Sequence, residues 1–206
     1  VWTYSATRQT TTPPYYSTTT LLAPDGYSTK HYFHLEPDVG ATSPGHGLQY
    51  QTEWLDVDGT IVRRQRSCYE GDGAPGQPGQ VNVCDNSPGF PLQNVRESAT
   101  FTSTVRLGAP VQTKHLLRSG WDGYGHFTTE QLYDWSDALL RTTTTTWAAN
   151  PTAWLLHLYS TRAVTENGST VSQTYDFNTA NGFLRGVLTT DPNYGTLRNC
   201  RYSGAT

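Results

Sequence analysis

The sequence predicts an all-β protein, an antiparallel meander of β-hairpins, and three observations support this. The 206 residues include 19 glycines and 12 prolines, which supply or fix the backbone angles that turns need. Threonine and tyrosine are frequent between them, and both favour the pleated, half-buried surface of a strand. Asp25-Gly26, Asp58-Gly59 and Asn167-Gly168 are two-residue hairpin signals. Helix is scarce, and its one candidate is a short turn near residues 136–140.

Strand-like segments lie between these turn signals. In residues 27–35, alternation places His31, Phe33 and Leu35 on one face of a strand and Tyr32 and His34 on the other. Because the connections are short, neighbours in sequence should pair as antiparallel neighbours in space. The predicted strands are residues 18–23, 27–35, 48–56, 60–69, 94–107, 111–119, 126–135, 139–147, 154–164, 169–177, 185–190 and 196–202.

One β-rich segment over residues 1–206 fits the length of the chain. Residues 71–91, rich in glycine and proline, are predicted to form a long surface loop with a short strand at 81–84. Cys68 and Cys84 flank the part of this segment, rich in glycine and proline, that lies between them. A disulfide between them is one interpretation and two free thiols the other, because spacing does not fix bridge geometry. Cys200 is left over, and the cysteine spacing matches no zinc pattern.

The charge pattern bears on partners and location. The net charge is −3 with no basic block, which argues against nucleic acid or a charged membrane surface as a partner. No apolar run approaches the roughly 18 residues of a membrane-spanning helix. The chain starts at Val1 and contains no methionine. We therefore expect an excised or processed piece whose targeting segment, if it had one, lay upstream.

A short motif occupies residues 121–127, with the sequence WDGYGHF. Trp121 is expected to pack at the end of one strand, and the Asp122 carboxylate to accept backbone N–H groups and hold the turn. Gly125 supplies a positive φ, and Phe127 restarts the inward-facing pattern. The motif therefore predicts a sharp corner between two strands.

A second segment has the same opening. Tyr175 and Asp176 are followed, after additional residues, by Asn181 and Gly182 and then by the apolar Phe183. The same physical logic predicts a second corner, with Asp176 as the residue that holds the turn and Gly182 as the residue with positive φ.

These motifs resemble the YD repeat of RHS proteins. Residues 139–156, and the Asp-Gly hairpins at 21–26 and 54–60, are similar to other parts of that family. The resemblance is good over residues 111–202 and looser over 1–70. It implies a segment of a spiralling β-shell in a secreted or cell-surface protein. The implied function is structural and not enzymatic: the shell encloses or delivers a C-terminal effector or toxin. Its partners would be the rest of the shell and the enclosed effector.

Two rival functions follow from other residues. Abundant tryptophan and tyrosine suggest a carbohydrate-binding β-sandwich, with a glycan as partner, if the rings form an exposed row. The acidic side chains from Glu53 to Asp72 suggest a hydrolase if two carboxylates face one cleft. The acidic set is Glu53, Asp56, Asp58, Glu70 and Asp72.

The sequence predicts no catalytic, metal or cofactor site. His31 and His34 fall on opposite faces of a strand, so they do not share a metal. Asp56-x-Asp58-Gly59 resembles the middle of a calcium loop, but Trp54 and Gln65 stand where ligands are required. His46, His115, His126 and His157 are isolated in sequence and are expected to be surface or hydrogen-bonded residues.

Overall fold

The computed structural model describes residues 1–9, 16–35, 47–69, 96–105 and 109–201. The strands are β1 (Thr3–Gln9), β2 (Tyr16–Leu22), β3 (Ser28–His34), β4 (Gln49–Leu55), β5 (Ile61–Tyr69), β6 (Glu97–Thr104), β7 (Gln112–Trp121), β8 (Phe127–Tyr133), β9 (Leu139–Trp147), β10 (Tyr159–Glu166), β11 (Ser169–Phe177), β12 (Leu184–Asp191) and β13 (Gly195–Arg201). A 3-10 turn covers Pro151–Ala153.

The strands form a hairpin meander, and the predicted all-β class is confirmed. All thirteen belong to one sheet in which the strand order follows the sequence from β1 to β13. The pairings within the hairpins are antiparallel, as between β2 and β3 or β10 and β11. Short turns produce this order because a strand that ends in a tight turn can pair at once with the strand that follows.

Three local predictions differ from the structure. Residues 154–158 are not part of a strand; β10 begins at Tyr159, because the 3-10 turn after Asn150 redirects the chain first. The predicted short turn of helix near residues 136–140 is instead a hairpin turn, with a hydrogen bond from the Asp137 N–H to the Asp134 carbonyl. Strand β1 was not predicted. The predicted loop at residues 71–91 lies outside the described residues.

The chain groups into two compact units, residues 1–117 with 134–137, and residues 118–133 with 138–206. In the first unit, burial alternates along β6: Ala99, Phe101 and Ser103 are buried, and the residues between them are half-buried. Their cross-strand partners Cys68 and His115 are also buried. One face of this part of the sheet is therefore much better shielded from water than the other.

Apolar side chains supply only part of this shielded face. Cys68, Ala99 and Phe101 form a small buried cluster, against which Leu117 packs. The His115 ring stacks on Phe101 with centroids 5.5 Å apart. Cys68 is disulfide-bonded. Cys84 lies outside the described residues, so the pairing of Cys68 with Cys84 stays a prediction.

A buried carboxylate organises the polar part of the same unit. Glu53 is 4% exposed. Its carboxylate accepts hydrogen bonds from the Tyr32 hydroxyl at 2.7 Å, Gln51 Nε2 at 3.0 Å and Arg64 Nε at 2.8 Å. Burial and the nearby Glu53 charge raise the pKa of Tyr32, so its hydroxyl stays protonated and donates. Because its oxygens have several donors, the carboxylate is tolerated away from water.

The second unit shows the same one-sided burial with different residue types. In β9, Thr143 is buried while Thr144 on the opposite face is exposed. The shielded face of β9 carries Thr143, Thr145 and Trp147, and the other face carries further threonines. Trp147 lies opposite Tyr159 of β10. The aromatic rings therefore collect on the better shielded face.

The Asn167-Gly168 turn joins β10 to β11 as predicted. Asn167 has φ 50° and Gly168 has φ 76°, and the flanking residues Glu166 and Ser169 are paired. Positive φ at both central residues is the geometry of a type I′ hairpin, which asparagine and glycine adopt most easily.

Substitution of Gly168 by valine is expected to destabilise the protein by about 1–2 kcal/mol, because a β-branched residue is strained at positive φ. Gly168→Asn is the matched control and should cost less, since asparagine tolerates this region. Urea unfolding of the three proteins measures the difference. Equal stability of the valine and asparagine variants would contradict the turn geometry.

His34 is expected to make the protein acid-sensitive. Burial, followed by the Arg66 charge, lowers its pKa from 6.5 to about 4. The unfolded chain takes up the proton near pH 6.5 and the folded chain only near pH 4. The contribution of neutral His34 to the free energy of unfolding is therefore fully present above pH 6.5. It is lost as the pH falls to about 4, and the free energy of unfolding decreases by about 3 kcal/mol.

The free energy of unfolding, measured at a series of pH values, checks this expectation. His34→Phe should lose the part of the pH dependence that is due to His34. His31→Phe on the same strand is the control and should retain it. The same acid profile in His34→Phe and in the parent protein would show that His34 does not cause the effect.

Candidate functional site

Three segments of the second unit meet at one end of its strands. They are the turn 121–127, the connection 150–158 between β9 and β10, and the turn 178–183 between β11 and β12. We call these three segments the corner. Both sequence motifs contribute to it, and the connection 150–158 is in contact with each turn.

Asp122 holds the first turn in the way the sequence predicts. Its Oδ1 accepts the backbone N–H of Tyr124 at 2.8 Å and of His126 at 3.0 Å. Gly125 has φ 100°, and the Trp121 ring meets Phe127 edge-on at 5.9 Å. Although burial alone would raise the pKa of Asp122, these hydrogen bonds and the bond to the His126 ring together lower it. The carboxylate is therefore ionised at neutral pH.

The second turn is held by a different residue from the one predicted. Asp176 lies within β11, where its Oδ1 accepts a hydrogen bond from Arg185 at 2.5 Å, and both side chains are at least half exposed. Asn178 occupies the turn position: its Oδ1 accepts the Ala180 N–H at 3.0 Å. Its carbonyl accepts the Gly182 N–H at 2.7 Å. The residues inserted between Asp176 and Gly182 move the turn beyond the reach of the aspartate.

The remaining residues of the second motif pack as the sequence predicts. The Tyr175 ring meets Tyr159 edge-on at 4.5 Å, and burial is the main cause that raises the pKa of Tyr175. Gly182 has φ 75°, and a Cβ at this position would lie 3.1 Å from Leu155 Cδ2. Glycine is therefore favoured there by the backbone angle, and the close approach of Leu155 leaves little room for a side chain.

Asn150 fixes that connection. Its Oδ1 accepts the Ala153 N–H at 3.2 Å and its Nδ2 donates to the Thr179 carbonyl at 2.8 Å. Its backbone forms a two-way bridge with Leu155. Trp154 follows in the left-handed region with φ 54° and is 84% exposed. The tight turn thus presents a large apolar side chain to solvent.

A chain of hydrogen bonds between side chains ties the connection to the first turn. Asp122 Oδ2 lies 2.6 Å from His126 Nδ1, and His126 Nε2 lies 2.7 Å from His157 Nδ1. The His126 ring stacks on Trp147 with centroids 4.1 Å apart and planes at 19°. The two histidines stand 31 residues apart. Sequence spacing gave no signal of this contact, which depends on the path of the connection 150–158.

A shallow cavity of about 230 Å³ lies on the shielded face of the second unit. One acidic and one basic side chain line the cavity, Glu130 and Arg162. The Glu130 carboxylate lies 3.5 Å from Arg118 Nε. The cavity is lined by Phe127, Glu130, Thr143, Thr145, Trp147, Tyr159 and Arg162.

The aromatic rings beside this cavity pack against one another and offer no flat platform. Trp147 meets Tyr159 at 78°, and Tyr159 meets Tyr175 at 72°. Two pairs of rings are near parallel, Tyr175 with Phe177 at 12° and His126 with Trp147 at 19°. Edge-to-face packing is typical of rings that fill space between strands.

The acidic residues considered for hydrolysis do not form a paired site in the part of the chain that the structure describes. Glu53 is ion-paired with Arg64 at 2.8 Å. Asp56 and Asp58 each accept a backbone N–H within their own hairpin turn. Glu70 and Asp72 lie outside the described residues.

The histidines of the described residues likewise do not form a metal site. Tyr32 and His34 share a face, where His34 packs on Tyr50 at 4.4 Å, while His31 points to the other face and lies near Thr52. Within the described ranges, no three His, Cys, Asp or Glu side chains are grouped so that they could hold a metal ion. Nor does any helix in those ranges have the length and apolarity needed to cross a membrane.

A third aromatic-aspartate pair was missed in the sequence. Tyr133 ends β8 and Asp134 follows it; Asp134 Oδ1 accepts both the N–H and the hydroxyl of Ser136 at 2.7 Å. Asp137, with φ 60°, stands where the other motifs have glycine. The Tyr-Asp dipeptide was the available signal, and the lack of a following glycine concealed it.

No protein-family model matches the chain, and no curated protein sequence matches it.

The two motif aspartates are expected to differ in their contribution to stability. Asp122→Ala removes the acceptor of two backbone N–H groups and one imidazole, and should cost about 1–3 kcal/mol. Asp176→Ala removes an exposed ion pair and should cost less than about 1 kcal/mol. Chemical unfolding measures both. A larger loss for Asp176→Ala would contradict the assignment of the turn-holding residue.

Proposed function

We propose that this chain is a wall segment of an RHS/YD-repeat type of protein, in which a long β-hairpin sheet encloses or delivers a C-terminal effector. The observation that carries the proposal is the strand order, which follows the sequence without a crossover from β1 to β13. A sheet built in this way lengthens by adding hairpins at either end, as a wall requires.

The distribution of buried side chains supports a wall. Within each unit one face of the sheet is better shielded than the other. Few of the described side chains are fully buried, and the small apolar cluster contains Cys68, Ala99 and Phe101. A compact enzyme domain is generally organised around one larger hydrophobic core. Here backbone pairing between neighbouring strands extends throughout the described sheet, and apolar packing is local.

The corner supports the resemblance to YD repeats. Trp121 and Asp122 form a turn that the aspartate holds by backbone hydrogen bonds, and Asp134 does the same after Tyr133. Such turns reverse the chain within a few residues, so that successive hairpins stay in register.

The aromatic residues favour packing over sugar binding. Exposed rings do occur, among them Trp2, Trp135 and Trp154. Trp147 is covered by the stacked His126 ring and meets Tyr159 at a steep angle, as expected of a ring that fills space between strands. We therefore place the wall ahead of the carbohydrate-binding module. A wall of this class belongs to a secreted or cell-surface protein, and its partners are the neighbouring hairpins and the enclosed effector.

The proposal is tested on the longer protein that it implies. An enclosed effector should resist protease while the wall is intact and become sensitive when the wall is opened by mild denaturant. A C-terminal region digested at the same rate in both conditions would contradict enclosure. A structure in which this chain forms an isolated module would contradict it as well.

The isolated chain is expected to self-associate through an end strand of its sheet. Strand β1 ends the strand order and its Tyr4 is 73% exposed; an uncovered strand edge pairs readily with another chain, and lysine there opposes this. Tyr4→Lys should therefore reduce the average mass measured by light scattering. Tyr194→Lys, at a turn residue 78% exposed, is the matched control and should not. A monomeric parent chain at all concentrations would contradict the prediction.

A further inference from the structure

We propose that Asp122, His126 and His157 form an acid-sensitive latch, which holds the connection 150–158 to the turn 121–127 at neutral pH and releases it on acidification. The inference does not depend on the wall proposal. It rests on the two hydrogen bonds of 2.6 and 2.7 Å that join the three side chains.

The hydrogen bond between the two histidine rings can form only in certain protonation states. The ionised Asp122 carboxylate accepts, so His126 Nδ1 carries a proton and donates to it. Between His126 Nε2 and His157 Nδ1, which are 2.7 Å apart, there is room for one proton only. The bond forms if both rings are neutral with His157 as donor, or if one of the two rings is charged and donates to the other, neutral ring.

Two added protons are incompatible with the bond between the rings. Asp122 is the one carboxylate in direct contact with the pair among the described residues, and the Trp147 ring stacks on His126. Beyond Trp147 the cavity holds Glu130 and Arg162, which are of opposite charge. A second proton would place two N–H groups and two positive charges face to face. The bond between the rings would then break.

His157 is the solvent-accessible end of this chain of hydrogen bonds. It is exposed to solvent, while His126 and Asp122 are 10% and 11% exposed. The Asp122 bonds to the backbone of its turn do not involve His157. Acid is therefore expected to separate the two segments while the turn itself stays formed.

On its other side, the connection is held by an amide and an apolar side chain. Asn150 donates to the Thr179 carbonyl, and Leu155 packs on Gly182. These contacts keep the connection attached to the turn 178–183 when the latch is open. Opening is therefore local. It exposes the surfaces through which the connection 150–158 and the turn 121–127 are in contact, and the connection also carries the solvent-exposed Trp154.

Hydrogen exchange of the whole chain between about pH 8 and about pH 4 tests the latch. After correction for intrinsic exchange rates, protection of residues 150–158 should fall on acidification by about tenfold or more relative to that of β11, a comparison that separates local opening from the loss of stability expected from His34. In His157→Gln, whose amide can donate to His126 Nε2 and does not ionise, protection of residues 150–158 should not fall relative to that of β11. His31→Gln is the control variant and should behave like the parent chain.

Three results would overturn the proposal. The first is protection of residues 150–158 that does not change with pH in the parent chain. The second is the same acid-induced loss in His157→Gln as in the parent chain. The third is saturable binding of Zn²⁺ or Ni²⁺ at neutral pH that His157→Gln abolishes, since the two nitrogens would then be metal ligands. Circular dichroism near pH 8 checks that each variant is folded.

Discussion

Backbone pairing between each strand and its sequence neighbours is the interaction on which the rest of this structure depends. The buried apolar cluster in the described residues is small, so the ladders of hydrogen bonds between strands maintain the order from β1 to β13. Side chains then cover one face of each unit. In the first unit the cover includes a carboxylate with several donors, and in the second it includes a group of packed aromatic rings. Both kinds of side-chain cover are compatible with the same hairpin backbone.

Turns held by a short polar side chain set the register of the ladders. Asp122, Asp134, Asn178 and Asp191 each accept the backbone N–H two residues further along. Such a bond fixes the turn locally, so the next strand begins at a defined residue. At the corner, two of these turns also contact the connection 150–158. Local turn chemistry thereby brings together side chains that are distant in sequence, and the Asp122, His126 and His157 chain is the result.

Much of the fold could be predicted from the sequence, because hairpins are local. Strand β9 and strand β11 have the predicted boundaries, and the Asn167-Gly168 turn has the predicted positive φ values. Errors arose where local signals conflicted. The apolar run from Trp154 suggested a strand, yet the capped turn at Asn150 delays β10. In the turn 178–183, the additional residues after Asp176 leave Asn178, and not Asp176, as the residue that accepts the backbone N–H.

By itself, the sequence determined the all-β class, the succession of hairpins and the role of Asp122, because each depends on residues close together in the chain. The tertiary structure alone decided which distant side chains meet. Nothing in the spacing of His126 and His157 brings them within 2.7 Å, and nothing local places Leu155 against Gly182. Those contacts depend on the path of an irregular connection, which is fixed by its packing between two turns and not by any pattern of its own.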